Sequence, residues 1–236
     1  MKIFRKTRFD LLEKSRFGKY LLYATGEIVL VVIGILIAIS IDNWREERAM
    51  KEKTIFELKM LSTELDSDIA EYTTRIEVCP MIINYLQKLS TNDYEDLDLN
   101  NFQKFVSAND NTMLFGDSYT ILKNNGGLDL IKDADLRKKM AFYNDVRREI
   151  TLQEIQYGKN AALAYIDPTV LSFLDFDSEN KLVTKKILKV IKEKKLNNII
   201  NLQLATWKKY LFLYQGDKTY ALNLKKQINR YIEKQE

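Results

Sequence analysis

From residue 20 to residue 41 the chain reads YLLYATGEIVLVVIGILIAISI, with Glu27 as its single ionisable side chain. Every residue from 28 to 41 is apolar or small. A helix rises about 1.5 Å per residue, so this run reaches roughly 33 Å, close to one hydrocarbon core. Its Ile and Val content would suit a buried strand, but strands rarely exceed about ten residues. Length therefore predicts one transmembrane helix. Lipid offers no hydrogen-bond partners, and a helix is the single-segment way to cross it.

Beyond the span the periodicity is helical almost throughout. Residues 43–78 lack Gly and Pro, and Leu58, Leu61, Leu65, Ile69, Tyr72 and Ile76 recur at intervals of 3, 4, 4, 3 and 4. That period is close to a straight helix, and it predicts one that Pro80 ends or kinks. Residues 81–89 read as a short second helix, followed by a polar, acidic loop. Asp98 is placed to cap a helix over 99–106, and the ANDNT turn at 108–112 leads into one over 113–124. Asn125-Gly126-Gly127 is a C-terminal stop. Leu136, Met140, Tyr143, Arg147, Ile150, Tyr157, Ala161 and Ala164 share one face of a helix running to about Tyr165, with Asp133 and Asp135 crowding its first turn. Pro168 follows its end, and 174–180 is an acidic loop. A short helix over 182–191 comes next. Ile200, Leu204, Trp207, Leu211 and Tyr214 mark another, which Gly216-Asp217 interrupts, and 219–234 closes the chain with Leu222, Leu224, Ile228 and Tyr231. No repeat of 20–50 residues is visible. The expected fold is all-α: a leader (1–19), one transmembrane helix (20–41) and an extramembrane antiparallel helical bundle (42–236).

Charge sets the orientation. The net charge is +4, but Lys2, Arg5, Lys6, Arg8, Lys14, Arg16 and Lys19 against Asp10 and Glu13 leave +5 in the leader and about −1 elsewhere. The main domain therefore lacks the basic face that a nucleic-acid-binding domain shows. Arg45, Arg48, Lys51, Lys53 and Lys59 after the span are fewer than the leader's cations. The imbalance places the N-terminus in the cytoplasm and the C-terminal domain outside, across a bacterial inner membrane. The leader reads either as an interfacial helix, burying Phe4, Phe9, Leu11, Leu12 and Phe17, or as a basic tail that only sets topology. Tyr20, Tyr23 and Trp44 stand where interfacial anchors belong.

Within the span, residues 28–41 cover only about 21 Å, so Glu27 lies inside the membrane or near its headgroups. It is a proton, ion or partner-helix contact in the first case, and in the second a carboxylate that is protonated or met by Lys19. Gly34 and Ala38, four apart, would let a second helix approach closely. Ala38-Ile39-Ser40 has the form of a signal-peptidase site, but the charged leader is long and the apolar core exceeds a usual signal.

Candidate chemistry is sparse. The chain has no His and one Cys, Cys79, which removes the commonest general base and metal ligand and any intrachain disulfide. Gly116-Asp117-Ser118 has the look of an esterase nucleophile block without the base that chemistry uses. Asp110 and Asp117 offer oxygens without the spacing of a calcium loop. The lysines from Lys185 to Lys195 read as a solvated helix face, and the 13 tyrosines as packing. Arg147, on an apolar stripe, either grips an anionic ligand or pairs with a nearby acid. The expectation is no catalytic, cofactor or metal residues; membrane or partner contacts at Glu27, Gly34, Ala38 and Trp44; and Arg147 as the candidate ligand contact.

Residues 18–48, GKYLLYATGEIVLVVIGILIAISIDNWREER, resemble the N-terminal signature of an uncharacterised bacterial membrane-protein family, in the Gly-Glu-Ile turn, the Ile-Gly-Ile-Leu-Ile-Ala core and the Asn-Trp-x-Glu exit. A looser likeness extends over residues 118–140. Ser40 and Asp42 stand where that family carries Gln- and Asn-like residues. The resemblance implies a single-span protein with a helical extramembrane domain and implies no activity. The expected role is a non-enzymatic scaffold or accessory subunit that meets the lipid bilayer and a protein partner or its own copy through span or bundle. The alternative is a sensor whose domain binds a small ligand; 19 cytoplasmic residues would leave it no output domain.

Overall fold

The computed structural model describes residues 16–179 and 182–235. The leader reading falls mostly on residues 1–15, outside the described residues, as does Asn180 at the end of the acidic loop. The chain divides into two compact units, Met1–Lys53 and Thr54–Glu236. The fold is all-α: among the described residues there are helices, turns and one isolated antiparallel bridge between Phe176 and Leu182.

Helix α1 (Arg16–Ser90) carries the apolar run and the first part of the domain. In the N-terminal unit every residue from 25 to 49 is exposed. Ile28, Leu30, Leu36 and Ile37 are more than half exposed. The hydroxyls of Thr25 and Ser40 donate to the carbonyls of Leu21 and Leu36 one turn back, at 2.8 and 2.7 Å. The helix thus satisfies these two hydroxyls itself, where lipid could not. One helix here is long and apolar enough to cross a membrane.

In the second unit Pro80 does not end α1. The helix continues to Ser90, so the expected helix over 81–89 is part of it. Pro80 lies on the exposed side, where water can replace its lost hydrogen bond. Ile82, Tyr85, Leu86 and Leu89 beyond it are buried. Four such side chains are worth about 1.5–3 kcal/mol each, more than the roughly 3 kcal/mol a helical proline costs. Asp98 caps as expected, accepting from the Asn100 N–H at 3.0 Å. A 3-10 turn (Leu99–Asn101) leads into α2 (Phe102–Val106).

The helix expected from 113 begins only at Ser118, as α3 (Ser118–Asn124). Residues 107–117 instead form a loop in which the Asp110 carboxylate accepts from the Thr112 N–H at 2.6 Å, a local bond that competes with helix. Gly126, at φ +73°, gives the expected left-handed stop before α4 (Gly127–Leu130).

Asp133 caps α5 (Ala134–Ala141) by accepting from the Leu136 N–H at 3.0 Å. The helix then runs without a break through a π-helical stretch (Phe142–Arg147), α6 (Arg148–Ala161), a second π stretch (Ala162–Ile166) and α7 (Asp167–Ser172). Pro168 lies within this continuous helix, just after the second π stretch, and does not follow a helix end. Two helices remain, α8 (Thr184–Val190) and α9 (Lys194–Glu233). Gly216-Asp217 does not interrupt α9. Tyr214, Ala221, Leu224 and Ile228 continue its buried stripe on both sides.

Cross-helix bonds fix the packing. Ser62 donates to Asn229 at 2.7 Å, Lys225 pairs with Asp66, and Lys208 donates to Gln87 at 3.0 Å. Residue numbers fall along α9 as they rise along α1, so the two run antiparallel. The Tyr220 and Tyr210 hydroxyls reach the Lys139 and Glu154 carbonyls at 3.4 and 3.2 Å, which sets α9 antiparallel to the α5–α7 helix as well. The core between these three includes Leu58, Leu65, Tyr72, Leu136, Tyr143, Ile155, Tyr214 and Leu224.

Candidate functional site

The expected contacts in the apolar run are all surface-facing. Glu27, Gly34, Ala38 and Trp44 are exposed, and a Cβ at Gly34 would meet nothing within 4 Å. The Arg48 guanidinium lies 5.9 Å from the Trp44 ring centroid and its Nε donates to Glu52 at 3.0 Å.

Polar chemistry is concentrated inside the helical domain. Arg147 is drawn to Asp217 of α9: its Nε and Nη2 lie 2.7 and 2.6 Å from Oδ1. The Thr151 hydroxyl donates to Oδ2 at 2.6 Å, and the guanidinium sits 5.4 Å from the Tyr220 ring centroid. Gly216 makes room for this, since a Cβ there would stand 2.8 Å from Arg147 Nη2. Burial pushes the Asp217 carboxyl above its ordinary 3.8, against the pull of Thr151 and Arg147. Of the two readings open for Arg147, the geometry gives the paired one.

The next residue, Arg148, engages a second buried acid. Its Nε is 3.4 Å from Asp68 Oδ2 on α1, and its Nη2 donates to the Phe115 carbonyl at 3.1 Å. The Tyr143 hydroxyl donates to the same Asp68 oxygen at 2.8 Å and lies 3.4 Å from the Tyr72 hydroxyl. Asp68 Oδ1 is buried without a hydrogen bond. Burial pushes the Asp68 carboxyl upward; Arg148 and the Tyr143 hydrogen bond oppose this, and Glu64 and Asp217 reinforce it. A third acid, Asp110, has Arg75 Nε at 3.9 Å, and its loop holds Thr112, whose hydroxyl meets the Tyr214 hydroxyl at 3.0 Å.

Ser118 is buried, and its hydroxyl donates to Glu64 Oε1 at 2.6 Å. The same oxygen accepts from the backbone N–H groups of Asp117 and Ser118 at 3.2 Å each. Ser118 therefore sits in a cap for α3 supplied by α1. Gly116, at φ +124°, keeps the loop clear of Glu64. Among the described residues, no group of three or more His, Cys, Asp or Glu is placed to hold a metal.

Sequence reasoning singled out Arg147 and missed Asp68, Asp217 and Arg148. The signal for Asp68 was available. It stands three residues after Leu65 and four before Tyr72, on the apolar stripe of α1. Chemically the cluster joins the three long helices, through charge-assisted hydrogen bonds from Arg147 and Thr151 to Asp217 and from Tyr143 to Asp68, and through the Arg148–Asp68 ion pair.

A model of a family of unknown function, DUF6090, matches residues 27–160, more than half of the chain. The chain belongs to the DUF6090 family. No curated protein and no solved structure matches it. The DUF6090 match begins at Glu27 and takes in Asp68, Tyr143, Arg147 and Arg148; α9, which supplies Asp217, lies beyond it.

Proposed function

We propose that this DUF6090 chain is a single-pass protein of a bacterial inner membrane, N-terminus in the cytoplasm, whose helical domain serves outside as a non-enzymatic scaffold or accessory subunit. The observation that carries the reading is the unburied run over 28–41. Ile28, Val29, Leu30, Val31, Val32 and Ile33 are six consecutive apolar side chains, each about half exposed or more. Soluble monomers rarely expose contiguous apolar patches beyond a few hundred Å². The lysine and arginine excess of the leader supports the orientation. The scaffold role is favoured over ligand sensing because Arg147, the residue a sensor would use, is committed to Asp217.

The test is fractionation of membranes containing the full chain, with a topology reporter fused after Glu236. The chain is expected to resist alkaline and high-salt washes, to dissolve in detergent with its N-terminal run intact by mass, and to report from the outer side. Release by the washes, loss of the run, or a cytoplasmic signal would each overturn the reading.

A further inference from the structure

Between Phe142 and Tyr165 a row of apolar side chains lies outside the core, and it takes in Ile150, Tyr157 and Ala161, which an unbroken α period assigns to the core face. Phe142, Val146, Ile150, Tyr157 and Tyr165 are all exposed, Tyr157 at 74% and Tyr165 at 73%, and Ala161 among them is half-buried. These positions form one row. In α6 the steps from Ile150 to Tyr157 and Ala161 are seven and four residues, which an α-helix returns to one face. The outer steps of four, Phe142 to Val146 and Ala161 to Tyr165, fall in or at the two π stretches. Wider π turns keep them in line.

The intervals along the row are 4, 4, 7, 4 and 4, the same from either end. We propose that the row is a self-association surface, on which a second copy of this chain lays its own α6 antiparallel about a two-fold axis beside Gln153 and Glu154. A two-fold contact is isologous, so its surface must be complementary to itself. The palindromic spacing meets that condition: Phe142 falls opposite the second copy's Tyr165, Val146 opposite its Ala161, and Ile150 opposite its Tyr157. The same operation sets Gln153 against Glu154, Glu149 against Gly158 and Arg147 against Asn160; its one like-charged match, Arg148 with Lys159, falls on the far side of the helix from the row, where Arg148 is turned inward to Asp68. The largely exposed rings of Tyr157 and Tyr165, the exposed edge of Phe142, whose ring also packs on Tyr220, and Val146 and Ile150 together bring the pair to the order of 1,000 Å², the scale of a specific interface. Of the acids that border the row, Asp145 and Glu154 are paired with Lys123 and Lys209 and Glu149 adds a negative charge, so the row itself offers no cationic face to an anionic lipid surface. The inference goes beyond the anchoring role and rests on the helical domain alone, so failure of the membrane test leaves it standing.

The experiment uses the full chain in detergent micelles. Sedimentation is expected to show a dimer, and Tyr157→Arg is expected to weaken self-association at least about tenfold. Tyr157 is largely exposed, so the helical circular dichroism should be unchanged. Register is read by disulfide formation. Chains carrying Ile150→Cys mixed with chains carrying Tyr157→Cys should crosslink, and neither should crosslink alone, because like positions stand about 10 Å apart along the axis. Cys79 is buried and stays out of the reaction. A monomer, a dimer that Tyr157→Arg leaves intact, crosslinks between like positions, or capture of a different protein by the row in native membranes would each overturn the proposal. The crosslinking arm holds even if Tyr157→Arg fails to fold.

Discussion

Arg147 and Asp217 are worth more as a pair than either is alone. The acid is almost fully buried and the arginine partly so, with side-chain exposures of 2% and 26%. Arg147→Ala leaves a carboxylate with only Thr151 to satisfy it. Breaking a pair of this kind costs about 2–4 kcal/mol, the upper range being reserved for full burial. Replacing both partners, Arg147→Met with Asp217→Leu, should recover most of that loss, because it leaves no charge stranded. Urea unfolding of both variants in detergent gives the comparison, and a double variant as unstable as the single one would show that packing, not charge, carries the effect. Asp68 allows a pH test. Its folded-state affinity for protons is raised by burial, so the native state binds the proton more tightly than the unfolded chain. Stability from this group is complete below 3.8 and is lost as pH rises through the folded value. The unfolding free energy of the wild type should gain on that of Asp68→Asn as pH is lowered through the acid range. The opposite slope would mean that Arg148 outweighs burial at this site.

At the scale of elements, periodicity identified most helices and mislocated several of their ends. Pro80, Pro168 and Gly216 read as punctuation because each carries a local penalty of about 1–3 kcal/mol. In each case the helix is held by burial further along: Leu86 and Leu89 after Pro80, Val170 after Pro168, Ala221 and Leu224 after Gly216. A local rule cannot weigh those contacts. The π stretch over Phe142–Arg147 hid the core face of α6 in another way. A π turn takes in an extra residue, so the buried set steps from Leu136, Met140 and Tyr143 to Thr151, Ile155, Ala162 and Ile166. The expected stripe through Ile150 and Tyr157 was therefore one residue out, and the consecutive arginines reach acids on two different helices. At Gly158 a side chain of α9 lies against the backbone of α6. A Cβ there would collide with the Tyr210 hydroxyl, which donates to the Glu154 carbonyl at 3.2 Å. Gly158→Ala should destabilise the domain by about 1–3 kcal/mol despite its better helix propensity. Tyr210→Phe removes the colliding oxygen, so the double variant should unfold close to Tyr210→Phe alone. If Gly158→Ala instead stabilises, Tyr210 moves aside freely and the close approach has no energetic weight.

For the whole molecule, the location of the core separates two kinds of stability. Buried apolar residues begin at Leu58 and continue to Ile232, and Thr54, at the first position of the second unit, is itself buried. The described residues from 25 to 49 contribute none. The helical domain thus has its own core, while the apolar run is exposed among the described residues. A fragment comprising residues 54–236 should therefore be helical, cooperative in unfolding and monodisperse without detergent. The full chain should aggregate in the same buffer, because the apolar side chains of residues 28–41 would face water at about 25 cal/mol for each Å² exposed. Circular dichroism and size-exclusion chromatography of the two proteins make the comparison. A fragment that is unfolded would show that residues before Thr54 are needed to nucleate α1. A full chain that stays dispersed without detergent would mean that something other than lipid covers the run.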